Sequence, residues 1–210
     1  MVYDEVKEVR GYLFLEQIKL GDKMNKKIDK KKIEQGIRMV LEAVGADLAV
    51  KDIAKTPQRV AQMYEEILAG QFKDPEDEIN VILEEEHDEI ILLRNISFYS
   101  ICEHHLVPFF GKAHVAYIPD KRITGLSKIA RVVEVLSRRL QVQERLTTKI
   151  ADVLMKKLKP KGVFVVIEAE HLCMSMRGVK KPGTTNVTSV VRGVFRTNSK
   201  TRQEAMSLIK

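Results

Sequence analysis

The sequence contains no tryptophan, and aromatic residues make up only 6% of its 210 positions. Proteins that bind single-stranded nucleic acid without sequence preference stack the bases on aromatic side chains, so this composition argues against that class. Hydrophobic runs are also short, and none approaches the ~20 residues that a transmembrane helix needs. We therefore expect neither a nucleic acid nor a membrane as a partner.

Cysteine is scarce as well, with only two residues, Cys102 and Cys173. No secretory signal segment is recognisable, so we expect a cytoplasmic protein, and disulfides are rare in that compartment. The two thiols could be unrelated buried side chains, because free cysteine is among the most buried residue types. A second interpretation, a shared metal ion, depends on the residues around them.

Those surroundings are rich in metal-binding side chains: Cys102, Glu103, His104 and His105 in one run, then His171 and Cys173. Cys102 and His105 are three positions apart and can reach one ion from a tight turn, with Cys173 as a third ligand. Thiolate and imidazole together favour zinc over magnesium or calcium. Because a structural zinc normally has four protein ligands and a catalytic one has three and a water, three candidates indicate a catalytic site.

Two imidazoles, His104 and His171, are left over and can move protons near neutral pH. Residues two apart in a strand project to the same side, which predicts that His171 and Cys173 face one site. The same argument joins Cys102 and His104 if the chain is extended there. Zinc lowers the pKa of bound water from ~15.7 to ~7, so such a site favours hydrolysis. If a histidine instead closed the metal site as a fourth ligand, the protein would be a basic binding module.

Hydrophobic periodicity predicts helices in the first part of the chain. Apolar residues recur on one helical face from Ile33 to Val44, and Gly45 is a plausible stop. A second helix is predicted with Thr56 as its N-cap and Gly70 past its end. Residues 1–23 match no pattern, and Met24 could be the true translation start.

Alternating patterns follow, and they predict strands at 90–93, 96–99, 111–118, 163–170 and 185–195, with helices at 126–140 and 144–158. In the strand at 111–118, His114 is expected to be half-exposed. The order of elements predicts an α+β fold, in which an antiparallel sheet carries the helix pair on one face.

The formal net charge is +7, which suits an anionic partner. Lys128 and Arg131 are three positions apart on one helical face just after Ser127, and Arg177 follows the second ligand segment. Arginine and lysine suit phosphate groups, although each could also be an ordinary surface residue. Arg59 is in the first turn of its helix, where a cation gains nothing from the helix dipole. That placement hints at a role, and an exposed surface arginine explains it equally well.

Glu144 lies in the run from Gln141 to Arg145, between the two predicted helices. A carboxylate can accept hydrogen bonds from both N1–H and the 2-amino group of guanine, a pair of donors that adenine lacks. An acidic residue at the start of a helix is also favoured by the helix dipole alone. Spacing does not separate these two interpretations.

Four motifs taken together resemble the GTP cyclohydrolase I family: Cys102-Glu103-His104-His105, Gly125-Leu126-Ser127-Lys128, Gln141-Val142-Gln143-Glu144-Arg145, and His171-Leu172-Cys173-Met174 with Arg177-Gly178. The resemblance runs from about residue 30 to the C-terminus. It implies N-terminal helices over 24–80 and a catalytic tunnelling-fold domain over 81–210, with a four-stranded antiparallel sheet and two antiparallel helices. It also implies a homodecamer of two stacked rings with active sites shared between subunits.

The resemblance further implies the conversion of GTP and water to 7,8-dihydroneopterin triphosphate and formate, the first step of pterin and folate synthesis. By match to the motifs, Cys102, His105 and Cys173 would hold Zn²⁺, and His104 and His171 would transfer protons. The implied GTP contacts are Glu144 and the backbone near Gln143 for guanine, with Ser127, Lys128, Arg131, Arg177 and Arg59 for the ribose and triphosphate. GTP then accounts for the positive charge without nucleic acid.

The chain departs from the family pattern at residues 1–23 and at Ala205, where the family tends to carry phenylalanine. Neither departure touches the implied catalytic set. A related tunnelling-fold enzyme with a cysteine nucleophile is the remaining alternative. It is disfavoured because both cysteines are assigned to the metal.

Overall fold

The computed structural model describes residues 27–209, so the interpretation of residues 1–23 and of Met24 lies outside the described residues. The first helix, α1, spans Lys30–Ala43 and begins earlier than the periodicity predicts. Asp29 caps it, because its side chain accepts a hydrogen bond from the backbone N–H of Lys32 at 3.1 Å. Gly45 follows the helix with φ +76°, a left-handed conformation that suits the predicted stop.

Two further helices follow, α2 at Lys51–Ala54 and α3 at Thr56–Ile67. The prediction that Thr56 is an N-cap is wrong. Thr56 is the first helical residue, and its hydroxyl donates to the carbonyl of Asp52 at 3.5 Å because α2 leads directly into α3. Gly70 lies beyond the helix end, as predicted, and its N–H donates to Arg138 O at 3.0 Å. A Cβ there would lie 2.0 Å from the carbonyl oxygen of Val135, so only glycine allows this close approach.

The main sheet has five strands in the order β5-β2-β3-β6-β7: β2 Ile91–Cys102, β3 Pro108–Ile118, β5 Leu140–Gln141, β6 Gly162–His171 and β7 Thr185–Gly193. Its four long strands are antiparallel, and the two-residue β5 pairs parallel to the end of β2. The strands predicted at 90–93 and 96–99 form one strand, with a register shift between Leu93 and Ile96. A small separate sheet pairs β1, Leu83–Glu84, with β4, Arg122–Ile123.

Helices cover both faces of the main sheet. On one face, α4 (Leu126–Ser137) adjoins β2, and α5 (Gln143–Leu158) adjoins β6 and β7. Both helices share a core with apolar residues of β3 and β6. Buried residues at this contact include Val115, Tyr117, Val165, Ile167, Ile129, Val133, Leu146 and Leu154. The opposite face packs on α7 (Val194–Thr197) and α8 (Ser199–Ile209) through residues such as Phe164, Val166, Phe195 and Ala205. The predicted α+β class is confirmed, as is the placement of the α4 and α5 pair on one face.

His114 contradicts the prediction of a half-exposed strand residue, because its relative exposure is 4%. It projects to the sheet face that α7 and α8 cover, and its Nδ1 accepts a hydrogen bond from the N–H of Asn95 at 3.4 Å. Burial lowers the pKa of His114, since the charged imidazolium loses solvation there. No helix within residues 27–209 combines the length and apolar character needed to cross a bilayer.

Candidate active site

The metal-ligand run lies in a tight turn at the end of β2. The N–H of Leu106 donates to Cys102 O, and the N–H of Cys102 donates to Val107 O, both at 2.9 Å. This turn brings His105 Nδ1 to 3.7 Å from Cys102 Sγ. In a tetrahedral zinc site, bonds of ~2.3 Å to sulfur and ~2.0 Å to nitrogen place these two atoms ~3.5 Å apart. The turn therefore presents both side chains at a spacing that one ion can bridge.

Cys173 completes this group from α6, which spans Leu172–Ser175 directly after β6. The ligand atoms of Cys102, His105 and Cys173 all lie within 4.8 Å of one another. Two sulfurs and an imidazole fit zinc well, and they leave a tetrahedral ion one further position. His104 Nδ1 is 3.9 Å from Cys102 Sγ, but His104 is not part of the three-residue group. The metal role of these residues remains a prediction.

The strand-alternation argument for the site is wrong, although the residues do come together. Residues 103–105 form a turn, and Cys173 lies in a helix while His171 is the last residue of β6. Burial raises the pKa of the Cys173 thiol, and the nearby sulfur of Cys102 raises it further. A bound cation would oppose both effects, because it favours the thiolate.

His171 lies beside the group, between an aromatic ring and an amide. Its ring stacks on Phe109 with centroids 4.6 Å apart and planes 3° apart. Its Nε2 is 2.8 Å from Oε1 of Gln143. Burial lowers the pKa of His171, and the charge of Glu144 partly opposes this. An imidazole held in this way can present its other nitrogen to a ligand.

Gln143 and Glu144 open α5, and their side chains have different surroundings. The side chain of Gln143 is 1% exposed and is bonded inside the protein, so a contact with substrate would use its backbone. Glu144 is exposed in the first turn of the helix, close enough for its charge to act on His171. The predicted guanine-binding residue therefore lies near His171.

Glu103 is a functional candidate that the sequence interpretation left without a role. Its two carboxylate oxygens accept hydrogen bonds from Arg145 at 2.6 and 3.0 Å. This bidentate bond lowers the pKa of Glu103. His104 Nε2 lies 3.9 Å from the same carboxylate. The sequence does contain a signal for this ion pair, because Glu103 stands between the predicted metal ligands Cys102 and His105 and Arg145 follows Glu144 in the third of the four motifs.

The predicted phosphate-binding residues on α4 differ in how far along the helix they lie from its contact with β2. Ser127 and Lys128 are at the start of α4, whereas the end of α4 adjoins β2, where Ser100 donates to Ser137 O at 2.7 Å. At 1.5 Å per residue, these two ends lie ~15 Å apart. Arg131 is one turn further along α4 than Lys128 and is exposed.

Two other predicted cations have different positions. Arg177 is exposed, and its charge lowers the pKa of Cys173, so it lies near the group. Arg59 is exposed in the first turn of α3, while the segment after the end of α3 contacts α4 through Gly70. Arg177 therefore lies close to the candidate site. Arg59 lies at the start of α3, about one helix length from the contact between Gly70 and α4.

Together these features define an α+β protein with a candidate Cys–His–Cys metal centre and an ordered histidine beside it. The sequence profile of GTP cyclohydrolase I matches residues 33–210, and the chain belongs to that family. The GTP cyclohydrolase 1 of Carboxydothermus hydrogenoformans is 58% identical over 183 residues, which cover 87% of this chain and 95% of that protein. The GTP cyclohydrolase 1 of Caldanaerobacter subterraneus is 59% identical over 183 residues, 87% of this chain and 97% of that protein.

A weaker likeness exists among solved structures. The crystal structure of the apo archaeosine synthase QueF-Like has a TM-score of 0.43 and 15% identity, covering 50% of this chain and 94% of its own. That likeness is too low to carry an argument about fold or function.

Proposed function

We propose that this protein is a zinc-dependent hydrolase that converts GTP and water to 7,8-dihydroneopterin triphosphate and formate. The observation that carries the proposal is the group formed by Cys102, His105 and Cys173, with ligand atoms within 4.8 Å of one another. Membership of the GTP cyclohydrolase I family and relatives that bear that activity in their names support the same reaction.

Each side chain of the site has a separate task in this proposal. Cys102, His105 and Cys173 hold the zinc, which when bound supplies Lewis acidity and activates water at neutral pH. His171 exchanges protons with the purine through the ring nitrogen that Gln143 does not occupy, and His104 serves the same chemistry from the ligand turn. Glu144 accepts from N1–H and the 2-amino group of guanine.

The triphosphate contacts are proposed to come partly from another subunit. Arg177 lies near the metal group, but Ser127 and Lys128 are at the far end of α4. A neighbouring copy that brought its own α4 start and its Arg59 and Arg131 to this site would supply the missing positive charge. The outer edges of β2 and β7 could pair between copies in a tunnelling-fold ring, and two rings would give the decamer.

The domain boundaries and the cellular location belong to the same proposal. Residues 24–80 would form a helical region and residues 81–210 the catalytic domain. A cytoplasmic location is supported by the site itself, because both cysteines must stay reduced to act as metal ligands.

The experiment uses the purified full-length chain loaded with zinc. With GTP it should release formate and form a pterin that fluoresces after oxidation, whereas ATP should give neither product because adenine lacks the two guanine donors. His171→Ala should keep its zinc and lose turnover by ~10²–10⁴-fold, the scale of acid–base groups. No formate from a zinc-loaded sample would refute the proposed function, and loss of zinc in the variant would make His171 a ligand.

A further inference from the structure

The amide of Gln143 has one orientation, fixed by the backbone of β6 and β7. Its Nε2 lies 3.0 Å from Ile167 O and 3.0 Å from Asn186 O. Backbone carbonyl oxygens only accept hydrogen bonds, so the atom that faces them must be the donor nitrogen. The amide oxygen, Oε1, therefore points the other way, towards His171.

The fixed amide in turn assigns the hydrogen on His171. Oε1 only accepts, so the ring Nε2 at 2.8 Å must carry the hydrogen. The side-chain amide of Asn186 donates to the same oxygen at 3.2 Å and holds it in place. Nδ1 of His171 has no hydrogen-bond partner within residues 27–209. In the neutral ring, the free lone pair is therefore on Nδ1.

The plane of the ring is fixed by Phe109. This residue pairs with His171 across β3 and β6, and the two rings are nearly parallel, 3° apart. Phe109 is itself 1% exposed and packs edge-on against Phe98, with centroids 6.0 Å apart. An aromatic ring so tightly enclosed leaves the imidazole little freedom to tilt.

We propose that Asn186 and Phe109 are positioning residues for His171. Asn186, acting through Gln143, fixes which ring nitrogen carries the hydrogen, and Phe109 fixes the ring plane, so that Nδ1 is the nitrogen that meets the substrate. This inference rests on the proposed function. The bond at Nε2 is the same whether or not Nδ1 also carries a hydrogen, so the ring does not need to turn during the reaction.

The test is a double-mutant cycle on the zinc-loaded protein. We would measure kcat and KM for GTP, metal content and thermal midpoint for Asn186→Ala and Phe109→Leu, alone and combined with His171→Ala. With His171 present, each should lower kcat by ~5–10-fold, with KM changed less than ~2-fold and full metal content. Combined with His171→Ala, each should cost less than ~2-fold more, because the residue they position is gone.

Two control variants separate positioning from general damage. Phe195→Leu removes the same side-chain volume from the core on the opposite face of the sheet, away from Phe109 and His171, and Ser189→Ala alters an exposed position on the strand of Asn186. Both should keep kcat within ~2-fold. The proposal is overturned by unchanged kcat in the single variants, by equal losses with and without His171, or by loss of metal. A zinc-loaded native protein that does not turn over GTP would instead defeat the proposed function.

Discussion

Glu103 connects the turn at residues 103–105 to α5, the helix that carries Glu144. Its N–H donates to Gln141 O at 3.1 Å, and its carboxylate binds Arg145 through both oxygens. The two connections tether the segment between Cys102 and His105 to the start of α5. Residues that orient metal ligands in this way commonly affect metal affinity although they do not bind the ion.

We predict that Glu103→Gln weakens zinc binding by ~10-fold, because the neutral amide cannot form the bidentate ionic bond with Arg145. The measurement is an equilibrium competition for zinc against a chromophoric chelator. Glu134→Gln is the matched control, since the carboxylate of Glu134 pairs with Arg138 at the exposed C-terminal end of α4. Equal zinc affinity in Glu103→Gln and the native protein would show that the tether is irrelevant to the metal site.

His114 should make the protein less stable in acid. Burial lowers its pKa in the folded state, whereas the unfolded chain has the ordinary value of ~6.5. The unfolded state therefore binds more protons as the pH falls through ~6.5, and folding stability falls with it. In urea unfolding between pH 8 and pH 5, His114→Gln should lose less stability than the native protein.

The exposed His87 provides the comparison for this experiment. His87→Gln should retain the full acid dependence of the native protein. If His114→Gln and the native protein had parallel pH profiles, the buried imidazole would not be the cause.

At the scale of elements, long periodic segments were predictable and short ones were not. The helices predicted at 126–140 and 144–158 correspond to α4 and α5, because each buries a continuous apolar face. The two-residue β5 and the single turn of α6 have no periodicity to detect. β2 was divided in the prediction because its bulge between Leu93 and Ile96 breaks the alternation.

In the candidate site, contacts between residues close in the sequence were predictable, and contacts that depend on strand pairing were not. Cys102 and His105 share a turn, so their spacing in the sequence predicts their approach. Asn186 reaches Gln143 only because β6 and β7 pair in one particular register. No spacing in the sequence contains that contact.

Gly111 should be essential to the pairing of β3 with β6. A Cβ at this position would lie 1.8 Å from the carbonyl oxygen of Glu168 and 2.7 Å from Ala169 Cα. Backbone atoms of a paired strand cannot move aside cheaply, so Gly111→Ala should destabilise the protein by at least ~3 kcal/mol or prevent folding. Thermal or urea unfolding measures the loss.

Gly36 offers the opposite case for the same substitution. It lies within α1, and a Cβ added there would meet no neighbouring atom within 4 Å. Gly36→Ala should therefore stabilise the protein by ~0.5–1 kcal/mol through helix propensity. Similar effects of the two substitutions would mean that β3 and β6 tolerate separation.

At the scale of the whole molecule, a site shared between subunits can be tested by complementation. His171→Ala and Lys128→Ala should each be nearly inactive alone. If the two residues come from different chains at each site, co-expression of both variants restores about a quarter of the sites. GTP turnover of the mixed protein gives the measurement.

The control is co-expression of His171→Ala with Cys173→Ser. These residues belong to the same side of the site, so mixed assemblies contain no intact pair and should stay inactive. A mixture of the first pair that is no more active than its parents would place the complete site within one chain.

The edge strands of the main sheet also affect how the protein behaves on heating. Within residues 27–209, β7 is hydrogen-bonded to a strand on one side only, and β2 meets β5 only at Ile101 and Cys102. Strand edges of this length are templates for uncontrolled association once they are bare. If copies of the chain pair through these edges, as proposed above, heating that separates them should end in precipitation. The stability of such an assembly would then be measured by its rate of loss and not by a reversible midpoint.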